Sequence, residues 1–206
     1  MSDETRPINP FSTSRIRPGA IAFRFGDEGD NVERLVEQFI SEKRIGQIVG
    51  PHGTGKSTLL EAIRDRLTQL GHSIVHVELH DDCRQLSIGR DVWRAIKQNA
   101  ARTLLAIDGF EQLGRLTRWS IVYAARRRGF GLLITAHDES SAAIPVLYRT
   151  EIDRQVASDL VDELTTDYPF AVDQSDLDEL ILQHEGDFRA VLFTLYDRFE
   201  ESRRRA

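Results

Sequence analysis

The sequence predicts a three-layer α/β fold, with a mostly parallel five-stranded sheet between helices and a small helical C-terminal part. Three observations carry this. An apolar run, a glycine-rich turn and a helical pattern follow one another over residues 45–70. Two more apolar runs, 103–107 and 130–136, lead into polar residues, as buried parallel strands do when they deliver side chains to the carboxyl edge of a sheet. Residues 156–206 hold only short helical stripes, which must pack on each other and on the sheet to be buried.

Composition narrows the class. The chain has 206 residues, enough for one or two domains. Its 33 acidic and 27 basic residues give a net charge of −6, which speaks against a dedicated nucleic-acid binder. The charge is uneven. Arg115 to Arg128 contains five arginines and no acid, whereas 151–187 contains twelve acids against Arg154 and His184. The single cysteine, Cys83, excludes an internal disulfide and fits a reducing compartment. No apolar run is long enough for a membrane span, and the polar, acidic start is not a secretory signal. A cytoplasmic protein with no membrane partner is expected.

Taken in order, residues 1–22 mix Pro7, Pro10, Pro18 and Gly19 with polar residues and read as an extended arm. It is either a tail or an arm laid over a ligand, with Phe11, Phe23 and Phe25 as stacking surface and Arg15 and Arg17 as charge. Asp30 then reads as an N-cap for a helix with the stripe Val32, Leu35, Val36, Phe39 and Ile40.

Strand 45–49 leads into Gly50-Pro51-His52-Gly53-Thr54-Gly55-Lys56-Ser57, the G-x-x-x-x-G-K-[ST] pattern of a phosphate-binding loop. The chemistry needs these residues at this spacing. Glycines let backbone N–H groups approach an anion closely, at the positive end of the helix that follows. The candidate nucleotide-binding residues are therefore Gly50 to Ser57 and Thr58. Lys56 is placed to reach the β- and γ-phosphates, and Ser57 to ligate Mg²⁺. The helix carries Leu59, Ile63, Leu67 and Leu70 and stops at Gly71.

A second strand spans 73–79, and His80 to Cys83 reads as a solvated loop. A helix over 88–101 with Val92, Trp93 and Ile96 leads to the third strand, which ends in Asp108. That carboxylate is the second candidate Mg²⁺ ligand. A helix over 111–128 turns Leu113, Leu116, Ile121, Val122 and Ala125 inward and leaves a basic face, a solvated surface before it is a nucleic-acid or acidic-partner site. The fourth strand ends in Thr135-Ala136-His137, which puts Thr135 or His137 at the γ-phosphate or the attacking water. A fifth strand covers 146–149. Helices follow at Val156–Leu164, after a cap at Ser175, and from Phe188, before a frayed Arg203-Arg204-Arg205 end.

These motifs, in this order, resemble an additional-strand P-loop NTPase of the AAA+ group, over roughly residues 23–200. Gly186-Asp187-Phe188-Arg189 is similar to the sensor 2 motif of the AAA+ helical lid, which implies that Arg189 reaches the γ-phosphate. The resemblance implies an arm (1–22), a nucleotide-binding core (23–155) and a helical lid (156–206). It implies ATP and Mg²⁺ as ligands, hydrolysis coupled to lid movement, and a homo-oligomer or protein partner, with Arg149 available in trans. A lesser similarity is to ABC ATPases, through the loop, Leu86-Ser87-Ile88-Gly89 and His137, but only about thirty residues lie between the loop and that stretch.

One position departs from the family. An acid usually follows the Asp directly and orients the hydrolytic water, and here Gly109 stands there. Glu111 is the next acid and the candidate base. Without it the protein is a nucleotide-dependent switch, and a small-molecule or nucleotide kinase shares the same loop. Strand order separates these classes: the Asp108 strand lies one strand away from the loop strand in the additional-strand class and beside it in the kinases.

Overall fold

The computed structural model describes residues 8–26, 29–79, 90–139 and 144–205. Five strands form one sheet: β1 (Ile45–Val49), β2 (Ser73–Glu78), β3 (Thr103–Asp108), β4 (Gly131–Ala136) and β5 (Val146–Arg149), in the order β2-β3-β4-β1-β5. All pairings are parallel. The strand bearing Asp108 is thus separated from the loop strand by β4, the additional-strand arrangement.

Alternation along the strands makes the layers. Leu105 and Ile107 of β3 face one side with Leu132 and Ile134 of β4, under α4 (Arg90–Asn99) and α5 (Arg115–Arg128). Leu104, Ala106 and Leu133 face the other side, under α2 (Val32–Ser41) and α3 (Lys56–Gln69). A third apolar cluster belongs to α6 (Arg154–Thr165), α7 (Gln174–Gln183) and α8 (Phe188–Arg205). No helix among the described residues is long and apolar enough to cross a membrane.

The arm is not simply extended. It holds a one-turn helix, α1 (Thr13–Ile16), and Phe11 is wholly buried in the third cluster. Asn9 donates to the Tyr196 carbonyl and to Glu200, and Arg15 donates to the Tyr168 hydroxyl at 2.7 Å. Arg24 reaches Asp159 and Glu163 on α6.

Several local expectations are corrected. Asn31, not Asp30, caps α2 by accepting from the Arg34 N–H, while the Asp30 carboxylate pairs with the Arg34 side chain. Asp173 is the N-cap residue of α7, and Ser175 lies inside the helix. The helix expected from residue 111 is broken: a 3₁₀ turn covers Phe110–Gln112, and α5 starts only after Gly114. Leu116 therefore faces solvent, as do Leu70 and Ile40. α8 runs on through Arg205, with Arg203 held at Glu200 and over the Phe199 ring. The loop His80–Cys83, Leu86–Gly89 and the side chains of Val92 and Trp93 lie outside the described residues.

Candidate functional site

The loop between β1 and α3 takes the shape its glycines permit. Gly53 and Gly55 have φ of +72° and +89°, in the left-handed region. Gly55 is the N-cap position of α3, so the free N–H groups of the first turn, including those of Lys56, Ser57 and Thr58, open on one cavity. Gly50 is constrained differently: a Cβ there would lie 2.2 Å from the Thr150 hydroxyl. Thr150 Oγ1 also contacts Thr54 Oγ1 at 2.6 Å, and Thr54 donates to the Pro51 carbonyl, which fixes the loop from below.

Lys56 Nζ donates to the carbonyls of Gly50 and Pro51 at 2.7 and 2.5 Å. Burial lowers its pKa, opposed by the nearby carboxylates of Glu111, Asp108 and Asp187. The lysine is thus stored inside an otherwise anionic cluster.

Asp108 ends β3 beside Thr135 of β4. The buried Thr135 hydroxyl donates to Asp108 Oδ1 and accepts from the Gly109 N–H at 2.9 Å. Asp108 Oδ2 has no hydrogen-bond partner among the described residues. The turn that follows explains Gly109. Its φ is +79°, and a Cβ would lie 2.9 Å from the Leu79 carbonyl, so a side chain in this place is strained on two counts. The left-handed step starts the 3₁₀ turn and brings Glu111 back to the cavity.

Glu111 Oε1 lies 2.9 Å from His137 Nε2, and its Oε2 is buried with no hydrogen-bond partner. The His137 ring packs on His52 of the loop, centroids 3.6 Å apart. Burial lowers the His137 pKa, helped by Lys56 and His52 and opposed by Glu111 and Asp138. The ring is therefore neutral near pH 7, and its Nε2–H tautomer donates to Glu111.

From the other side, α8 meets the loop. A Cβ on Gly53 would lie 2.2 Å from Asp187 Oδ1 and under 3 Å from the Phe188 and Arg189 nitrogens. Asp187 caps α8 by accepting from the Ala190 N–H. Arg189 lines the cavity, and its guanidinium has no partner among the described residues. The cavity measures about 410 Å³.

The structure thus gathers Lys56, Ser57, Thr58, Asp108, Glu111, Thr135, His137 and Arg189 around one space, with His52 to Gly55 along its edge. Arg149 lies apart, paired with Glu139. Sequence reasoning missed the apolar wall formed by Ile16, Ile21, Ile152, Val156 and Leu160, and the acids Glu78 and Asp187. Val156 and Leu160 lie one turn apart in the helix expected over Val156–Leu164, and a stripe of that kind fits a core face as well as a cavity wall.

A family model described as an AAA domain matches residues 37–194. The chain belongs to the AAA domain family. This is the level at which it is a nucleotide-binding P-loop ATPase domain. Solved structures share the AAA fold at low identity. A replication initiator DnaA bound to AMPPCP and single-stranded DNA is 14% identical, with a TM-score of 0.55 over 89% of this chain and 67% of that one. An AMPPCP-bound DnaA from Aquifex aeolicus is 14% identical, with a TM-score of 0.53 over the same shares. A Thermotoga maritima RuvB variant is 13% identical, with a TM-score of 0.54 over 82% of this chain and 59% of that one. This AAA chain spans about two thirds or less of these structures' length. No curated protein sequence matches it.

Proposed function

We propose that this AAA domain binds ATP with Mg²⁺ in the cavity and hydrolyses it, the helices of residues 156–206 moving as a lid over residues 23–155. The observation that carries the hydrolysis reading is Glu111. Its Oε1 is held by His137 and its buried Oε2 has no partner. A buried carboxylate oxygen left unpaired costs on the order of 1–3 kcal/mol, so the site calls for a donor that a water would supply.

Each side chain then has a task. The N–H groups of Gly53 to Thr58 cradle the phosphates, and Lys56 exchanges the Gly50 and Pro51 carbonyls for the β- and γ-phosphate oxygens. Ser57 and Asp108 would hold Mg²⁺, which when bound offsets phosphate charge. Thr135 orients Asp108 by fixing Oδ1. Glu111 Oε2 accepts a proton from water as the water oxygen bonds to the terminal phosphorus. The bond from that phosphorus to its bridging oxygen breaks, and ADP keeps the electron pair. Thr135 and His137 act as positioning residues rather than phosphate contacts. Arg189 approaches the terminal phosphate from α8, and the Ile16, Ile21 and Val156 wall suits the apolar faces of a base.

A steady-state phosphate-release assay tests this with Glu111→Gln and Lys56→Ala. Glu111→Gln is expected to keep the thermal stabilisation by ATP·Mg²⁺ and to lose at least about 10²-fold in turnover. Equal turnover in wild type and Glu111→Gln would remove Glu111 from the reaction. A second reading, a non-hydrolysing switch, is favoured by Gly109 standing where an acid is usual, and it predicts binding with no phosphate release from wild type. Strand order speaks against a kinase.

A further inference from the structure

His52 stands at the third position of the phosphate loop, where the G-x-x-x-x-G-K-[ST] pattern asks for no particular residue. Backbone N–H groups and a lysine supply the anion contacts of such a loop, so phosphate binding sets the His52 imidazole no task. The ring nonetheless has a defined place. It lines the nucleotide cavity and packs on the His137 ring, with centroids 3.6 Å apart and planes 48° apart. His137 Nε2 in turn lies 2.9 Å from Glu111 Oε1. The three residues follow the order of the sheet: His52 after β1, His137 after β4 and Glu111 after β3.

One hydrogen bond does not fix an imidazole. A ring held only at Nε2 still swings about its side-chain torsions, the last of which is broad, and carries Nε2 with it. A second ring laid against it removes that freedom. His52 suits the task because its own backbone is anchored. The carbonyl of Pro51, in the peptide that joins Pro51 to His52, accepts from Thr54 Oγ1 at 2.9 Å and from Lys56 Nζ at 2.5 Å. When Lys56 exchanges that carbonyl for phosphate, Thr54 still holds it, and Thr54 is itself buried against the Thr150 hydroxyl. On the other side of His52, Gly53 sits tightly against the first turn of α8.

We infer that His52 is a positioning residue, whose ring fixes the ring of His137 and, through it, the carboxylate of Glu111; this rests on the reading of Glu111 as the base. Each acid of the site then has its own partner at the end of β4, Thr135 for Asp108 and His137 for Glu111. Only the second of these partners carries a ring of the phosphate loop on it, so the loop sets the base directly and the Asp108 carboxylate does not depend on position 52.

Phosphate-release kinetics and urea unfolding test this on His52→Ala, His52→Phe, His137→Gln and the double variant of His52→Ala with His137→Gln. His52→Ala is expected to lose at least about tenfold in kcat, with KM for ATP kept within about twofold. His52→Phe, which keeps a ring and has no ring nitrogen, is expected to recover most of that loss. The double variant is expected to turn over no more slowly than His137→Gln alone, because His52 acts through His137. In urea, the losses of the two single variants are expected not to sum in the double variant. An alanine variant that turns over like the wild type would overturn the inference. A raised KM with unchanged kcat would place the imidazole on phosphate instead, and a loss that phenylalanine does not recover would give the role to a ring nitrogen. Turnover losses that multiply would make the two histidines independent. A wild type that releases no phosphate would strike the hydrolysis reading, and the urea cycle still decides for His52: additive losses overturn its hold on His137, and non-additive losses uphold it.

Discussion

His137 Nε2 and Glu111 Oε1 lie 2.9 Å apart, which ties the end of β4 to the turn after β3. The pair exists because β3 and β4 are neighbours in the sheet and because the backbone reverses at Gly109. Lys56 and His52 flank it, so one small volume holds a carboxylate, two imidazoles and an ammonium group.

Restoring an acid to its usual place should harm this protein. Gly109→Asp puts a Cβ into a left-handed turn and 2.9 Å from the Leu79 carbonyl. We expect a loss of about 1–3 kcal/mol in urea unfolding and no gain in phosphate release. A more active, equally stable variant would show that the turn is not what excludes the acid.

Thr135→Val keeps the shape of the side chain and removes the hydroxyl between Asp108 and Gly109. The Gly109 N–H loses its acceptor, so a loss of about 1–3 kcal/mol is expected, together with a smaller gain in stabilisation on adding Mg²⁺ to ATP than the wild type shows. Thr135→Ser should recover most of both. Calorimetric titration with and without Mg²⁺ separates the two effects, and an unaltered Mg²⁺ dependence in the valine variant would detach Thr135 from the Asp108 site.

The His137 pKa is lowered in the folded chain, chiefly by burial. The unfolded chain therefore takes up more protons just below pH 6.5 than the folded one. The stability linked to His137 is complete above about pH 6.5 and falls as pH drops from there toward its folded pKa. His76 is shifted in the same direction by burial, so the comparison has to be made within one background. Relative to His137→Gln, the wild type should lose stability on acidification through that window. Parallel curves from pH 7 to pH 5 would contradict it.

Phe11 fills the third apolar cluster and meets Phe170 edge-on, with ring centroids 6.0 Å apart. Phe11→Ala should cost about 3–5 kcal/mol in chemical denaturation if the arm stays docked. It should also speed proteolysis within residues 8–26. A cost under about 1 kcal/mol would mean that the arm contributes little to holding α6 to α8 together.

Legibility followed the type of signal. β1 and β3 were readable to the residue because each strand-like run ends abruptly, β1 at Val49 before Gly50 and β3 at Asp108 before Gly109. Lys56, Ser57 and Asp108 were readable because their chemistry fixes a spacing or a strand end. The start of α5 was not, because Leu113 and Leu116 fit one helical stripe on paper, and only the extended step at Leu113 and Gly114 resets the phase. Phe11 gave no periodicity to follow, being one aromatic residue among prolines and polar residues. The Glu111–His137 contact joins positions in different strand–turn units, so it depends on the order of strands, which no local pattern carries. His52 on His137 depends on the same fact.

Gly53 sits where the phosphate loop touches the first turn of α8, with no room for even a methyl group between them. Two backbones in such contact behave like meshed teeth: neither can rotate past the other without one of them yielding. Under the lid movement proposed above, the tempo of nucleotide exchange would follow α8, and a residue as small as alanine at position 53 would act as a wedge, holding the molecule ajar.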